Sequence, residues 1–328
     1  MAIPILAANT STSLNTDTPK PPKFSAMDLP EIRDIVFQYL GRRDLARCTR
    51  ISKSWHGPAM AMIWKSVELS GAHRRNPPFE ILQRHCNLVK AFRISLRFIG
   101  WTGTEYSTLN FPKLEKITMT LSNASSADML DLIRRHTCLM HLALTYQCTH
   151  RTSFLNAPQL WEAIASLPNL STLHICDVEV LNATVSLPRL RELRLLYSGG
   201  TLDIASQQLQ FINRCPALEI LEWHPNCTVR WLGDPATKNF VKLANAGAWP
   251  NLESLILGRD SLDLSDSNIA SILAAIPRAT ILGLSDSKFG PLSFESLRAH
   301  FPILKELDLD DCLKHCIAVT EDPYQTAR

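Results

Sequence analysis

The feature that most constrains the fold of this 328-residue chain is a phrase, roughly Pro-x-Leu-x-x-Leu-x-Leu, that recurs from residue 86 onward. Pro188-Arg-Leu-Arg-Glu-Leu-Arg-Leu195 and Pro250-Asn-Leu-Glu-Ser-Leu-Ile-Leu257 are clear copies. Nine copies occur, and their first anchors stand at 88, 114, 139, 170, 190, 218, 252, 279 and 304, which is 20 to 34 residues apart. Self-similarity at such a period is the signature of a repeat architecture.

Each copy predicts a short strand, because alternate residues such as Leu193 and Leu195 point to one side of an extended chain. Most copies are followed by an amphipathic stretch typical of a helix, for example Ser126 to Arg135 and Ser267 to Ala275. One strand and one helix cannot bury their apolar faces alone, so we expect the units to stack into a solenoid with a parallel sheet on its concave side. The 20-residue interval after Leu170 is too short for a helix and predicts a unit made of loop.

A different pattern precedes the repeats. Pro30 suits the first position of a helix, where its missing N–H is not needed, and apolar residues follow at helical spacing until Gly41. Asp44 is a suitable N-cap for a second helix, which Gly57-Pro58 is expected to end, and a third short helix is expected from Ala59 to Trp64. Three short helices bury little surface, so a partner or the following domain is expected to stabilise them.

Together these patterns predict an α/β protein in which a small three-helix motif is followed by a solenoid of strand–helix units. Residues 1–24 are expected to form a disordered leader, since they are rich in Asn, Ser, Thr and Pro and show no periodicity. The helical motif is expected at 25–69 and about nine irregular repeats at 70–312. Residues 313–328 are expected to be a polar tail.

Composition narrows the classes of partner. With 34 basic and 31 acidic residues the net charge is +3, too balanced to favour nucleic acid or an anionic membrane. No apolar run approaches the roughly 18–20 residues that span a bilayer. Nine scattered cysteines without a secretory signal predict reduced thiols, and hence a cytoplasmic or nuclear protein.

The residues of the helical motif resemble an F-box. The resemblance rests on Leu29-Pro30-Glu31-Ile32, Val36-Phe37, Tyr39-Leu40, Asp44-Leu45, Cys48, Ser52-Lys53-Ser54-Trp55 and Ile63-Trp64. The repeats resemble the leucine-rich type, since Leu304-Lys-Glu-Leu-Asp-Leu-Asp-Asp-Cys312 fits the Leu-x-x-Leu-x-Leu-x-x-Asn/Cys consensus. The layout is similar to that of the irregular F-box and leucine-rich-repeat proteins that fungi carry in large numbers.

This resemblance implies a substrate receptor of a ubiquitin ligase. The F-box would dock on a Skp-type adaptor and through it on a cullin, while the solenoid would hold an unknown target protein for ubiquitin transfer. Catalysis would belong to other subunits. The alternative is a repeat scaffold without a role in ubiquitin transfer, in which an F-box remnant caps the solenoid. Binding of the adaptor separates the two hypotheses.

By the F-box pattern, six residues are expected to contact the adaptor or to hold the three helices in shape for it. They are Leu29, Pro30, Ile32, Ile35, Leu45 and Trp55. The competing interpretation is that they are core residues of a small helical cap. Leu29 and Pro30 are the cleaner probes of contact, because truncating Trp55 would remove a large core side chain.

On the solenoid, the residue between two strand anchors and the residue two positions further are expected to face the concave surface. The residues proposed to bind a target there are His174, Arg194, Glu222, His224, Asp308 and Asp310. Arg194, Glu222 and His224 are expected to form a polar centre. The competing interpretation is that each is merely a solvated residue of a strand.

No metal site, cofactor or catalytic site is expected. Cys312, His315 and Cys316 supply too few ligands for zinc, and no second Cys/His pair lies at finger spacing. The sequence has no Gly-rich phosphate loop, no Gly-x-Ser-x-Gly elbow and no His-Glu-x-x-His motif. These features favour a binding protein over an enzyme.

Overall fold

A computed structural model of the chain divides into two compact units, residues 1–63 and 64–328. The structure describes residues 29–70, 76–95, 104–121, 126–146, 158–176, 184–199, 203–226, 233–257, 264–284 and 287–309. The expected leader and the expected polar tail lie outside these ranges. No helix within them is long and apolar enough to cross a membrane.

From residue 29 onward, where the structure describes it, the first unit consists of three helices: α1 (Pro30–Tyr39), α2 (Arg42–Cys48) and α3 (Lys53–Trp64). Phe37, Leu45, Cys48 and Ala59 form its core. Trp55 packs against that core, with its ring edge to face on Phe37 at a centroid distance of 5.5 Å. The helix α1 begins at Pro30, as the sequence predicts.

The start of α2 differs from the prediction. Gly41 is the N-cap and the helix begins at Arg42, so Asp44 lies within the first turn rather than before it. There its carboxylate complements the helix dipole and accepts a hydrogen bond of 2.9 Å from Arg47. An acidic residue is favourable both at the N-cap of a helix and in its first turn. Asp44 alone therefore does not identify the residue at which α2 begins.

The prediction that Gly57 and Pro58 end a helix is wrong, because α3 runs through both of them. A proline inside a helix cannot donate to the carbonyl oxygen four residues earlier, here that of Ser54. The side chain of Arg33 in α1 donates to this oxygen instead, at 3.0 Å. A contact between helices thus replaces the missing backbone hydrogen bond.

The second unit contains a ten-stranded parallel sheet in which each strand pairs with the next one along the chain. The strands are β1 (Ser66–Ser70), β2 (Ala91–Ser95), β3 (Lys116–Leu121), β4 (His141–Tyr146), β5 (Thr172–Cys176), β6 (Glu192–Gly199), β7 (Ile220–Asn226), β8 (Ser254–Leu257), β9 (Ile281–Leu284) and β10 (Glu306–Asp308).

Helices connect most of these strands. They are α4 (Phe79–His85, followed by a 3₁₀ turn at Cys86–Leu88), α5 (Thr104–Ser107), α6 (Ser126–Arg135), α7 (Pro158–Ala165), α8 (Asp203–Ile212), α9 (Gly233–Asn245), α10 (Asp266–Ala275) and α11 (Pro291–His300). Between β5 and β6 the described residues 184–191 contain no helix, in keeping with the short interval after Leu170. The fold is therefore α/β and is compatible with a repeat solenoid.

The strands align their apolar residues in rows, because side chains alternate along each strand. One buried row consists of Val67, Phe92, Ile117, Leu142, Leu173, Leu193, Leu221, Leu255 and Leu282. Apolar side chains of the helices share one core with this row. The helices therefore cover one face of the sheet, and we call the opposite face, whose residues lie between the buried ones, the open face.

The strand β1 belongs to the sheet rather than to the helical motif with which the sequence analysis grouped it. Val67 lies opposite Phe92, and Leu69 lies opposite Ile94. Both residues are buried and continue the apolar rows. The sheet consequently has one strand more than the nine repeats.

Candidate functional site

The first unit exposes apolar side chains on α1. Leu29 is 51 % exposed, Ile35 56 % and Tyr39 85 %. Ile35 and Tyr39 lie one helical turn apart on the same side of α1, while Phe37 takes the buried side. We call Leu29, Ile35 and Tyr39 the α1 surface.

The other residues predicted to contact an adaptor lie at different depths. Pro30 is exposed next to Leu29, whereas Ile32 and Trp55 are half-buried. Leu45 is buried in the core, so its side chain holds the helices together and does not face a partner. The six predicted residues therefore separate into exposed ones and ones that support the helices.

On the open face, the strand register aligns the residues that the sequence analysis assigned to it. His174 pairs with Arg194, and Arg194 pairs with Glu222, on the neighbouring strands β5, β6 and β7. His224 follows two residues along β7. Asp308 is exposed on β10, three strands from Glu222 and apart from this group. Asp310 lies outside the described ranges.

A continuous set of polar contacts joins these side chains through one further residue, Glu192. Nε of Arg194 donates to Oε1 of Glu192 at 2.7 Å, and Nε2 of His174 lies 3.0 Å from the same oxygen. Nη1 of Arg194 lies 3.0 Å from Oε2 of Glu222, whose Oε1 lies 3.2 Å from Nε2 of His224. We call these five residues the open-face cluster.

Sequence reasoning missed Glu192, although a signal for it exists. Glu192 stands two residues before Arg194 on the same strand, and residues two apart share a face. The prediction considered only the position between the anchors and the position two residues later. Extending the same period backward by two residues finds Glu192.

The contacts within the open-face cluster shift the pKa values of Glu222, Glu192 and His174. The hydrogen bond from His224, helped by the charge of Arg194, outweighs partial burial and lowers the pKa of Glu222. Burial raises the pKa of Glu192, but hydrogen bonds from Arg194 and His174 outweigh it and leave this pKa lowered. Burial lowers the pKa of His174 despite its bond to Glu192. At neutral pH both carboxylates are thus ionised, and His174 is neutral.

No protein-family model and no curated protein matches the sequence of this chain. Within the described ranges, no group of three or more His, Cys, Asp and Glu side chains is placed to hold a metal ion. Cys312, His315 and Cys316, considered above as zinc ligands, lie outside those ranges. The α1 surface and the open-face cluster are therefore the candidate sites, both defined by geometry.

Proposed function

We propose that this chain is the substrate-recognition subunit of a Skp–cullin–F-box ubiquitin ligase. Residues 29–64 would dock on a Skp-type adaptor, and the open face would bind the target protein. The observation that carries the proposal is the α1 surface, where Leu29, Ile35 and Tyr39 are exposed at a position that resembles the opening of an F-box.

Exposed apolar side chains are common singly, but a group of them on one short element favours a protein interface. Aromatic and aliphatic residues dominate the centres of such interfaces. Among the residues of the first unit that the structure describes, the core is small, with four buried residues and four more packed against them. A partner that covers α1 would bury additional apolar area and stabilise the three helices.

The residues of the F-box pattern would then have two separate roles. Leu29, Pro30 and Ile35 would contact the adaptor, because they are exposed. Leu45 and Trp55 would keep α1 in the orientation that docking requires, because they pack in the core. Truncating either of the latter would weaken docking by disturbing the fold.

The open face supports the second part of the proposal. It carries a preformed polar cluster, while the opposite face of the sheet is occupied by the helices. A protein partner gains specificity from such arranged charges. The chain would hold the target and would leave ubiquitin transfer to other subunits.

The experiment is a pull-down of the purified protein with a purified Skp-type adaptor, beside a Leu29→Ala/Ile35→Ala variant. Truncating two exposed side chains at an interface should weaken binding by at least about tenfold. The matched control is Ile81→Ala/Met140→Ala, which truncates two side chains that are each 42 % exposed on the second unit. Circular dichroism checks that all three proteins are folded.

Loss of binding in the α1 variant alone would support docking through this surface. Equal binding by the α1 variant would overturn the assignment of Leu29 and Ile35. No binding by the folded wild type would overturn the receptor proposal and favour the repeat scaffold.

A further inference from the structure

Three isoleucines lie beside the open-face cluster. Ile220 on β7 and Ile281 on β9 both pair with Ser254 on β8, so they occupy one row of the open face. Ile256 lies two residues further along β8, between Glu222 and Gly283. All three isoleucines are half-buried. We call Ile220, Ile256 and Ile281 the isoleucine patch.

The cluster leaves several polar atoms available to a ligand. A carboxylate can only accept hydrogen bonds, so Nε2 of His174 carries the hydrogen that it shares with Glu192. In the neutral ring, Nδ1 is then an acceptor. Both contacts of Glu192 use Oε1, and within the described part of the chain Oε2 has no hydrogen bond. His174 and Glu192, which contact each other through Nε2 and Oε1, thus each retain one acceptor.

The charges of the cluster do not balance. Glu192 and Glu222 contribute two negative charges and Arg194 one positive charge, so these three side chains carry a net charge of −1. Arg194 lies between the two carboxylates and contacts both of them. A second cation would complete two ion pairs, whereas an anion would raise the net charge to −2.

We propose that the open-face cluster and the isoleucine patch together bind a target segment that carries a Lys or Arg side chain followed by an aliphatic side chain. The basic group would donate to Oε2 of Glu192 and to Nδ1 of His174, and the aliphatic group would cover Ile256. This inference rests on the proposed role of the open face in target binding.

The strand spacing sets the distance between the two side chains. Glu192 on β6 is in register with Ser254 on β8, two strands away, and Ile256 lies two residues further along β8. At about 4.8 Å per strand and about 3.3 Å per residue, Glu192 and Ile256 are about 12 Å apart. An extended chain spans this distance in three to four residues, so the aliphatic residue is expected three or four residues from the basic one, and Ile281 on the next strand extends the apolar contact.

The test is selection from a random twelve-residue peptide library displayed on phage, with the full-length protein immobilised. Peptides selected by the wild type are expected to be enriched in Lys or Arg and to carry Leu, Ile or Val three or four residues away. A Glu192→Gln/Glu222→Gln variant keeps the shape but removes the negative charge, so its selected peptides should lose the basic enrichment. An Ile256→Ser variant should lose the aliphatic preference.

The matched control is Glu68→Gln/Glu162→Gln, which removes two exposed glutamates that belong neither to the cluster nor to the isoleucine patch, on β1 and α7. It should select the same peptides as the wild type. Enrichment of acidic peptides, enrichment that the cluster variant retains, or no enrichment by the wild type would each overturn the inference. Every variant should still bind the Skp-type adaptor, so failure here is distinguishable from failure of the receptor proposal.

Discussion

The guanidinium of Arg33 donates to the carbonyl oxygen of Ser54 at 3.0 Å, and this is the oxygen that Pro58 leaves without its helical donor. Without this contact, the carbonyl would depend on solvent for a hydrogen bond. The contact joins α1 to α3 across the small core of the first unit. It therefore links the helix that carries the α1 surface to the helix that carries Trp55.

We predict that Arg33→Met destabilises the first unit by about 0.5–1.5 kcal/mol, the usual net contribution of one hydrogen bond. Methionine retains much of the arginine stem, so the loss reports mainly on the guanidinium. Hydrogen exchange followed by mass spectrometry should show faster exchange in α3 and unchanged exchange in the strands of the second unit.

Pro58→Ala provides the control for this pair, because it restores an N–H that can donate to Ser54. In the Pro58→Ala background, Arg33→Met should lower the free energy of unfolding by less than it does in the wild type. The reason is that the N–H of residue 58 and the guanidinium of Arg33 share one acceptor, the carbonyl oxygen of Ser54. Equal costs in both backgrounds would contradict the proposed replacement of one donor by the other.

Asp266 caps the N-terminus of α11 from the preceding helix. Its carboxylate accepts the backbone N–H groups of Gly290 at 3.0 Å, Leu292 at 3.0 Å and Ser293 at 2.8 Å. A Cβ atom at Gly290 would lie 2.8 Å from this carboxyl group, so only glycine permits the approach. We predict that Asp266→Ala costs about 0.5–2 kcal/mol, the range for losing a helix N-cap. Both Asp266→Ala and Gly290→Ala should speed hydrogen exchange in α11.

The hydrogen bonds of Asp266 should also make the stability of α11 depend on pH. Partial burial raises the pKa of Asp266, but hydrogen bonds from Ser293, Leu292 and Gly290 outweigh it and hold the pKa below its usual value of 3.8. The cap therefore stabilises α11 fully above pH 3.8 and loses its effect as the pH falls through the lower, folded-state pKa. Hydrogen exchange of α11 should lose protection in acid in the wild type and change less in Asp266→Asn.

The sequence predicts the repeats because each depends on local periodicity. The expected helix at Ser126 to Arg135 has the bounds of α6, and α10 begins one residue before the expected Ser267. The course of α3 through Pro58 differs from the local prediction, and the donor to the carbonyl oxygen that Pro58 cannot serve is Arg33, a residue 25 positions before Pro58. A contact between distant residues leaves no periodic signal.

The candidate sites also combine features that follow from local periodicity with features that depend on packing. Period-two alternation places His174, Arg194 and Glu222 on the open face, and the register then brings them together. Which of the six residues predicted to contact an adaptor are exposed is not readable from spacing alone, because Leu45 and Ile35 are both apolar residues at helical positions. Packing of Trp55 on Phe37 settles part of that question in three dimensions.

Arg194 is expected to control the protonation of the open-face cluster. We predict that Arg194→Met raises the pKa of both Glu192 and Glu222, because each loses a neighbouring positive charge. The same change should raise the pKa of His174, which the charge of Arg194 lowers. NMR titration of labelled Glu and His side chains measures all three. Arg93→Met, on the same row of the sheet but three strands from His174, should leave these values unchanged.

We predict that the buried residue His136 makes the protein less stable in mild acid. It is 3 % exposed, its Nε2 accepts the N–H of Phe111 at 2.9 Å, and its Nδ1 lies 2.6 Å from the carbonyl oxygen of Leu132. A carbonyl oxygen can only accept, so the neutral ring carries its hydrogen on Nδ1. Protonation would place a second hydrogen against the N–H of Phe111 in a buried site.

Burial lowers the pKa of His136 below its usual 6.5 in the folded protein. Below pH 6.5 the unfolded chain therefore binds more protons at this residue than the folded chain does. We predict that the free energy of unfolding is unaffected by this residue above pH 7 and falls as the pH is lowered from about 7 to 5. Urea unfolding across this range should show a weaker pH dependence in His136→Gln, whose amide oxygen can still accept from Phe111. Parallel curves for the two proteins would contradict the prediction. His136→Leu should instead cost about 1–3 kcal/mol even at pH 8, because it leaves the buried N–H of Phe111 without an acceptor.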